Sequence, residues 1–275
     1  MNYRHIYHAG GMADVFKHFI LTLVLQKLLQ KDTPFFVLDT HAGLGLYDLT
    51  LEAPQKTREF EGGVQRFMNQ CKEDLIFQVY VNLLKELNEG SIDIKKYPGS
   101  PWISRHFLRE QDRLILSELH PEDCYVLNSL FKRDERVKVL YQDAYIALKA
   151  HLPPKERRGL VLIDPPFEAK DEFKQITQGL KDALKRFAHG MYGIWFPIKD
   201  PKEIKKFYQS LESLSLKKVL KVEFYWSFPK NIERLNGCGM VLINPPWKLK
   251  ESLEQALPKL LTAFDINEDG FFKIH

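Results

Sequence analysis

The sequence has few cysteines, no long apolar run and no repeated unit. Cys71, Cys124 and Cys238 are far apart and odd in number, with no C-x-x-C pair to suggest zinc or a redox couple. Free thiols in a reducing cytoplasm are the expectation. The run from Phe19 to Leu25 is too short, and too closely flanked by Lys17 and Lys27, to span a bilayer. No charged start followed by an apolar core marks the N-terminus, so a soluble, unprocessed, cytoplasmic protein is expected, with no membrane partner. Repeat arrays and low-complexity tracts are absent. A dinucleotide fingerprint is missing too: Gly43 and Gly45 would need a third glycine where Asp48 stands.

What is present suffices for one large α/β domain, because 275 residues with 44% apolar content can bury a sizeable core. The net charge of +4 is unevenly placed. Residues 151–235 hold 17 Lys or Arg against 11 Asp or Glu, a balance of +6 that leaves −2 for the rest. A phosphate-bearing partner would find the basic half attractive, although long lysines on solvated helices give the same count.

Residues 14–29 repeat apolar positions at helical spacing, with Asp14 as the expected N-cap. "PFFVLD" (34–39) reads as a buried strand and "THAGLGLYD" as a glycine-containing loop after it. Residues 57–89 carry a helical stripe that "YPGSP" breaks, which defines an inserted helical subdomain at 48–98 within a single domain, 1–275. Further strands are expected at 113–118, 137–141, 159–164, 191–196, 218–226 and 239–244, with helices near 122–131, 144–151, 170–187 and 201–213. Alternation of this kind implies a mostly parallel, doubly wound sheet. The last two strands are joined by about a dozen residues, too few for a helical crossover, and should form an antiparallel hairpin. Seven strands with a terminal hairpin give the α/β, Rossmann-like layout of class I, S-adenosylmethionine-dependent methyltransferases.

Ligands of such sheets bind beyond the carboxyl ends of the strands. The loop Asp39-Thr40-His41-Ala42-Gly43-Leu44-Gly45 resembles the first methyltransferase motif, with His41 where many such enzymes have a glycine. Glu118 ends the second strand, where a carboxylate can accept ribose hydroxyls. Asp143 follows the third, placed to hold an adenine amino group. Either acid could instead cap a helix; their joint placement at successive strand ends favours the cofactor reading.

Two stretches look alike, "GLVLIDPPFEAK" (159–170) and "GMVLINPPWKLK" (239–250). The first has a chemical use. An exocyclic amine is a poor nucleophile because its lone pair is conjugated with the ring. The Asp164 carboxylate can accept one N–H and the Pro165 carbonyl the other. Proline fixes that carbonyl with φ at about −65° and offers no competing donor. Phe167 can stack on a base taken out of its helix. Asp164 ends a parallel strand and faces the crevice, whereas Asn244 ends an antiparallel one and points away. "INPPW" is therefore expected to be a structural turn with Trp247 packed against the core or a neighbouring helix.

In order along the chain, "YRHIYHAGGMADVFKH", "LDTHAGLGLYDL", "KYPGSPWISRHFLREQD", "LSELHP", "RRGLVLIDPPFE" and "GMVLINPPWKL" resemble the RlmJ-type bacterial methyltransferases, which modify N6 of one adenine in 23S ribosomal RNA. The resemblance implies S-adenosylmethionine as cofactor, S-adenosylhomocysteine as product, and no metal. It implies cofactor contacts from His18, His41, Ser100, Glu118, Asp143 with Ala144, and Asp164. Asp164 is also implied as the catalytic group, and Tyr3 as the N-terminal contact to the RNA or target base. Phe167 departs from a common tyrosine. His5, His8, His18 and His41 include an H-x-x-H pair, but without matching cysteines or a second spaced pair a metal site is disfavoured. A monomer acting on 23S RNA is the expectation. Two rivals stay open: the same chemistry on DNA adenine or protein glutamine, and a non-catalytic RNA-binding assembly factor.

Overall fold

The computed structural model describes residues 4–266 and 269–275. A 3-10 turn (His5–Tyr7) leads into α1 (Met12–Leu29), then β1 (Phe36–Asp39) and β2 (Leu46–Asp48). Helical pieces follow: α2 (Glu52–Thr57), a π-helical turn (Glu61–Gln65), α3 (Arg66–Cys71), a 3-10 turn (Leu75–Phe77) and α4 (Gln78–Leu87). The chain then forms β3 (Lys96–Pro98), α5 (Ser100–His106), β4 (Arg113–Glu118), α6 (Pro121–Phe131), β5 (Val137–Tyr141), α7 (Ala144–His151) and β6 (Gly159–Ile163). After these come α8 (Glu172–Arg186), β7 (Met191–Ile198), α9 (Pro201–Glu212), β8 (Val219–Tyr225), β9 (Gly237–Ile243), α10 (Leu249–Ala263) and β10 (Phe271–Ile274).

The main sheet has the order β10-β8-β9-β7-β6-β1-β4-β5. β5, β4, β1, β6 and β7 are mutually parallel, and β9 runs antiparallel to both β7 and β8. β8 therefore shares their direction, and six like-directed strands with the reversed β9 inserted between the fifth and sixth form the class I methyltransferase arrangement expected above. The count is eight rather than seven, because "FFKI" adds β10 antiparallel along β8.

Alternation along each strand sorts side chains between two cores. Val37, Leu114, Leu116, Leu160, Leu162, Met240 and Leu242 face α1, α5, α6, α10 and the 52–87 helices. Leu38, Ile115, Val161, Ile163, Ile194 and Val241 face α7, α8 and α9. One residue further along, Asp39 and Asp164 fall by parity on the α1 side.

Four local readings differ from expectation. α1 starts at Met12 with Gly11 as N-cap; Asp14 sits inside the first turn, where its carboxylate accepts the Gly10 N–H at 3.0 Å. The expected helix over 57–89 is broken, since Arg58 adopts a left-handed conformation and the π-helical turn carries Gly63. A Cβ at Gly63 would lie 2.1 Å from the Gly10 carbonyl oxygen, so glycine permits the N-terminal segment to cross there, and Val64 N–H bonds that same oxygen at 2.8 Å. "YPGSP" does not only interrupt: Tyr97 lies in β3, which pairs with β2, and Pro101 sits in the first turn of α5, where its missing N–H is harmless. Trp247 is 78% exposed and not packed; left-handed backbone at Asn244 and Lys248 turns the segment so that Leu249, 1% exposed, enters the core instead.

Candidate active site

Parallel direction gathers the carboxyl ends of β1, β4, β5, β6 and β7 at one edge. Asp39 and Glu118 are the last residues of β1 and β4, Asp143 lies just beyond β5, and Asp164 follows β6. The loop after β1 is tied to both neighbours: Thr40 N–H and its hydroxyl donate to the Leu162 carbonyl at 3.1 and 2.9 Å, and Ala42 N–H to that of Ser117 at 3.0 Å. Gly43 and Gly45 have positive φ, +62° and +78°, which lets the loop turn tightly.

Glu118 holds the loop from the other side. One oxygen accepts Gly43 N–H at 2.7 Å and the other His120 N–H at 2.7 Å. Burial raises its pKa against these donors. Asp143 caps α7 by accepting the N–H groups of Tyr145 and Ile146 at 2.9 and 3.0 Å, so the helix-cap reading holds for it, and buried Ala144 is the first residue of that helix. His41 bonds Thr40 at 2.9 Å, and burial lowers its pKa to about 4, which makes it neutral at physiological pH.

Asp39 is fully buried, and one of its oxygens, Oδ2, has no hydrogen-bond partner among the described residues. Burial, reinforced by the Asp164 charge, lifts its pKa to about 7 against the opposing contacts of Ser100 and the His41 N–H. Ser100 opens α5 and is itself buried. An orphaned carboxylate oxygen beside a glycine loop suits a ligand that brings a cationic donor, such as the amino group of an amino-acid moiety.

His18, on α1, is buried. Its Nδ1 pairs with the Tyr97 hydroxyl at 2.7 Å, which contacts that of Tyr80 at 3.0 Å. Burial, with the Lys17 charge next to it, holds His18 well below its usual pKa. Phe167 has φ of +52°, an uncommon conformation for a bulky side chain. Its half-buried ring meets Phe173 and Trp195 edge-on at 5.0 and 6.0 Å. Tyr3 lies outside the described residues.

Sequence reasoning missed the residue closest to Asp164. Lys17 Nζ contacts Asp164 Oδ2 at 2.6 Å and Asp14 Oδ1 at 3.0 Å, and is almost fully buried. Asp14 in turn pairs with His5 Nε2 at 3.0 Å. Burial opposes the Lys17 charge, but Asp14 and Asp164 more than offset it and hold its pKa well above the usual value. Burial likewise opposes the Asp14 charge, yet His5 and Lys17 keep that carboxyl well below its usual range. Asp164 Oδ1 receives no hydrogen bond from the described residues, so one oxygen is clamped and the other is open. The signal was Lys17 three residues after Asp14 in a mostly apolar helix; that local pair is visible in the spacing, but the second partner, Asp164, is supplied only by the fold.

The N-terminal segment reaches across this edge. Arg4 pairs with Glu122 and Asp123 on α6, each at 3.2 Å, and the His5 ring sits 5.3 Å from that of Tyr47. The opposite edge of the sheet holds a cleft lined by Arg105, Arg113 and Arg136, whose charges are met by Asp134 and Glu156. Among the described residues, no group of three or more His, Cys, Asp or Glu side chains is arranged to hold a metal ion, and no helix is long and apolar enough to cross a membrane.

Comparison with known proteins matches this architecture to one family. The family model described as "Ribosomal RNA large subunit methyltransferase D, RlmJ" matches residues 32–274. Ribosomal RNA large subunit methyltransferase J of Escherichia coli (strain K12) is 41% identical over 260 residues, 94% of this chain and 92% of the relative. The protein of the same name from Haemophilus influenzae shows the same identity and coverage. The crystal structure of protein LPL1258 from Legionella pneumophila superposes with a TM-score of 0.89 at 35% identity, covering 98% of both chains. Five parallel strands that converge on Asp39, Glu118 and Asp164, with D-P-P-F at the centre, therefore have whole-length counterparts, and the chain is a methyltransferase that belongs to the RlmJ family.

Proposed function

We propose that the protein transfers a methyl group from S-adenosylmethionine to N6 of an adenine in 23S ribosomal RNA. The observation that carries this reading is the Asp164 carboxylate, held at Oδ2 by Lys17 and open at Oδ1, with Pro165 and the Phe167 ring next in the chain. The names of the relatives point to large-subunit ribosomal RNA.

The site fits the cofactor through its own residues. The ammonium of the methionine moiety would meet Asp39 Oδ2, the buried acceptor that lacks a partner. His18, His41, Ser100, the Gly43 loop, Glu118, and Asp143 with Ala144 would hold the remainder, and the 48–98 insertion would close the crevice through β2 and β3. When bound, the cofactor supplies an electrophilic sulfonium methyl.

Asp164 Oδ1 accepts one N–H of the target amine and the Pro165 carbonyl the other, which draws the nitrogen lone pair out of the purine plane. Phe167 stacks on the extruded base and sets the approach, and in-line positioning supplies much of the acceleration. Lys17 keeps the carboxylate from rotating. After transfer the nitrogen is strongly acidic, so its proton leaves readily to Asp164 Oδ1 or water and no strong base is required.

The test is transfer of labelled methyl from S-adenosylmethionine to unmodified 23S RNA by purified protein, with the modified nucleotide mapped. A single N6-methyladenine is the expected result. Tight RNA binding without transfer would instead make the protein an assembly factor, and preferential labelling of DNA or protein would reassign the substrate.

A further inference from the structure

Trp195 has no part in the transfer derived above, yet its surroundings are distinctive. The parallel register pairs Ile163 with Ile194, so the next residue on each strand, Asp164 and Trp195, stand side by side at the crevice edge. Parity turns both toward α1. The indole is half-buried. Lys17 Nζ lies 5.7 Å from its ring centre, and the Phe167 ring meets it at 6.0 Å with the planes 70° apart. Its Nε1 is buried without a hydrogen-bond partner among the described residues. The polar group on that side is the Cys238 thiol, a weak acceptor.

Buried donors are normally satisfied. Phenylalanine would fill much of this place without burying a donor whose only nearby acceptor is a thiol, which directs attention to the size and exposed surface of the larger indole. Its neighbours are Asp164 in the strand register and Phe167 in ring contact, so a base stacked on Phe167 with its amine at Asp164 would lie within reach of the indole.

Resting on the reading that an adenine is methylated at this site, we propose that Trp195 contacts the target base and selects for the area of a purine. The two-ring base fills the corner between Phe167 and the indole. A cytosine, with a similar exocyclic amine but a single ring, leaves the indole uncovered and is held less firmly at Asp164. The contact is edge-on, a geometry aromatic pairs favour.

Trp195→Phe and Trp195→Leu test this with three readouts: kcat and KM on 23S RNA, the thermal midpoint, and quenching of indole fluorescence by adenosine in the presence of S-adenosylhomocysteine. For Trp195→Phe the expected result is an unchanged or raised midpoint, a KM increased about tenfold, equivalent to about 1.4 kcal/mol, and a smaller change in kcat. Adenosine should quench the wild type, cytidine should do so much less, and the variant should lose the difference. Trp195→Leu should show the same KM loss more strongly. Wild-type KM and undiminished quenching in both variants would overturn the proposal, as would a lowered midpoint with unchanged KM, which marks a purely structural ring. If the wild type transfers no methyl to RNA, the proposed activity is what fails; adenosine quenching that depends on Trp195 would still report the base contact.

Discussion

The stretches Asp164-Pro165-Pro166-Phe167 and Asn244-Pro245-Pro246-Trp247 share a shape and differ in polarity. β6 runs parallel to β1 and delivers Asp164 to the edge where Asp39 and Glu118 gather, while β9 runs antiparallel and delivers Asn244 to the far edge. There the Asn244 amide donates to the carbonyls of Ala188 and Gly190 at 3.0 and 2.8 Å, and its backbone N–H to that of Lys218 at 2.9 Å. An aspartate at 244 would have no amide donor for these carbonyls, and an asparagine at 164 would not match the Lys17 ammonium. Backbone strain is placed differently as well: φ is positive at the fourth residue of the first motif, Phe167, but at the first of the second, Asn244, and again at Lys248. The second motif serves its turn through the Asn244 amide and backbone; the first is the one proposed above to face the target base.

The sharpest way to break this contrast is Asp164→Asn. It keeps size, loses the carboxylate, and should lower kcat by about 10²–10³-fold with RNA binding intact; near-normal single-turnover rates would remove Asp164 from the chemistry. Lys17→Met should come next. It leaves two buried carboxylates without their shared cation, and such losses run to about 3–5 kcal/mol, read by denaturant unfolding. At the far edge, Asn244→Ala should cost about 2 kcal/mol from two lost amide hydrogen bonds and the left-handed backbone, with kcat unchanged.

A pH measurement sharpens the first region alone. The folded pKa of Asp39, about 7, lies above the 3.8 usual for an aspartate. The folded state therefore binds the proton more tightly, and the stability linked to it is complete below about pH 4 and lost as pH rises through 7. Cofactor binding needs the ionised form and runs the other way: affinity for S-adenosylhomocysteine should rise about tenfold between pH 6 and 8 and become nearly flat in Asp39→Asn. A wild-type affinity independent of pH would detach Asp39 from the cofactor. Trp247→Ala should have the smallest effect, within about 0.5 kcal/mol, because the ring is exposed; calorimetry showing a core-sized loss would contradict that placement.

Much of the fold was legible because apolar runs of strand length alternate with amphipathic segments. β4, β5 and α7 coincide with their expected bounds, and the reversed strand followed from a connection too short for a crossover helix. The breaks within 57–89 were hidden because the apolar stripe continues through them, while the cause, Gly63 against Gly10, is a tertiary contact. β10 is four residues whose pairing with β8 has no local signature. In the site, strand-end acids could be read from position, since strand direction fixes where they point. Lys17 could not, because its partner Asp164 lies 147 residues away, and Asp14 passed for a cap because capping and ion pairing use the same residue type. Trp247 was misplaced because aromatic character suggests burial, whereas the turn around it decides which neighbour enters the core.

The most direct test of the central claim is a side-by-side single-turnover assay of methyl transfer to unmodified 23S RNA by Asp164→Asn and Asn244→Ala. Strand direction predicts that Asp164→Asn loses transfer and Asn244→Ala keeps the wild-type rate, even if it melts earlier. Transfer lost in Asn244→Ala and kept in Asp164→Asn would contradict the assignment.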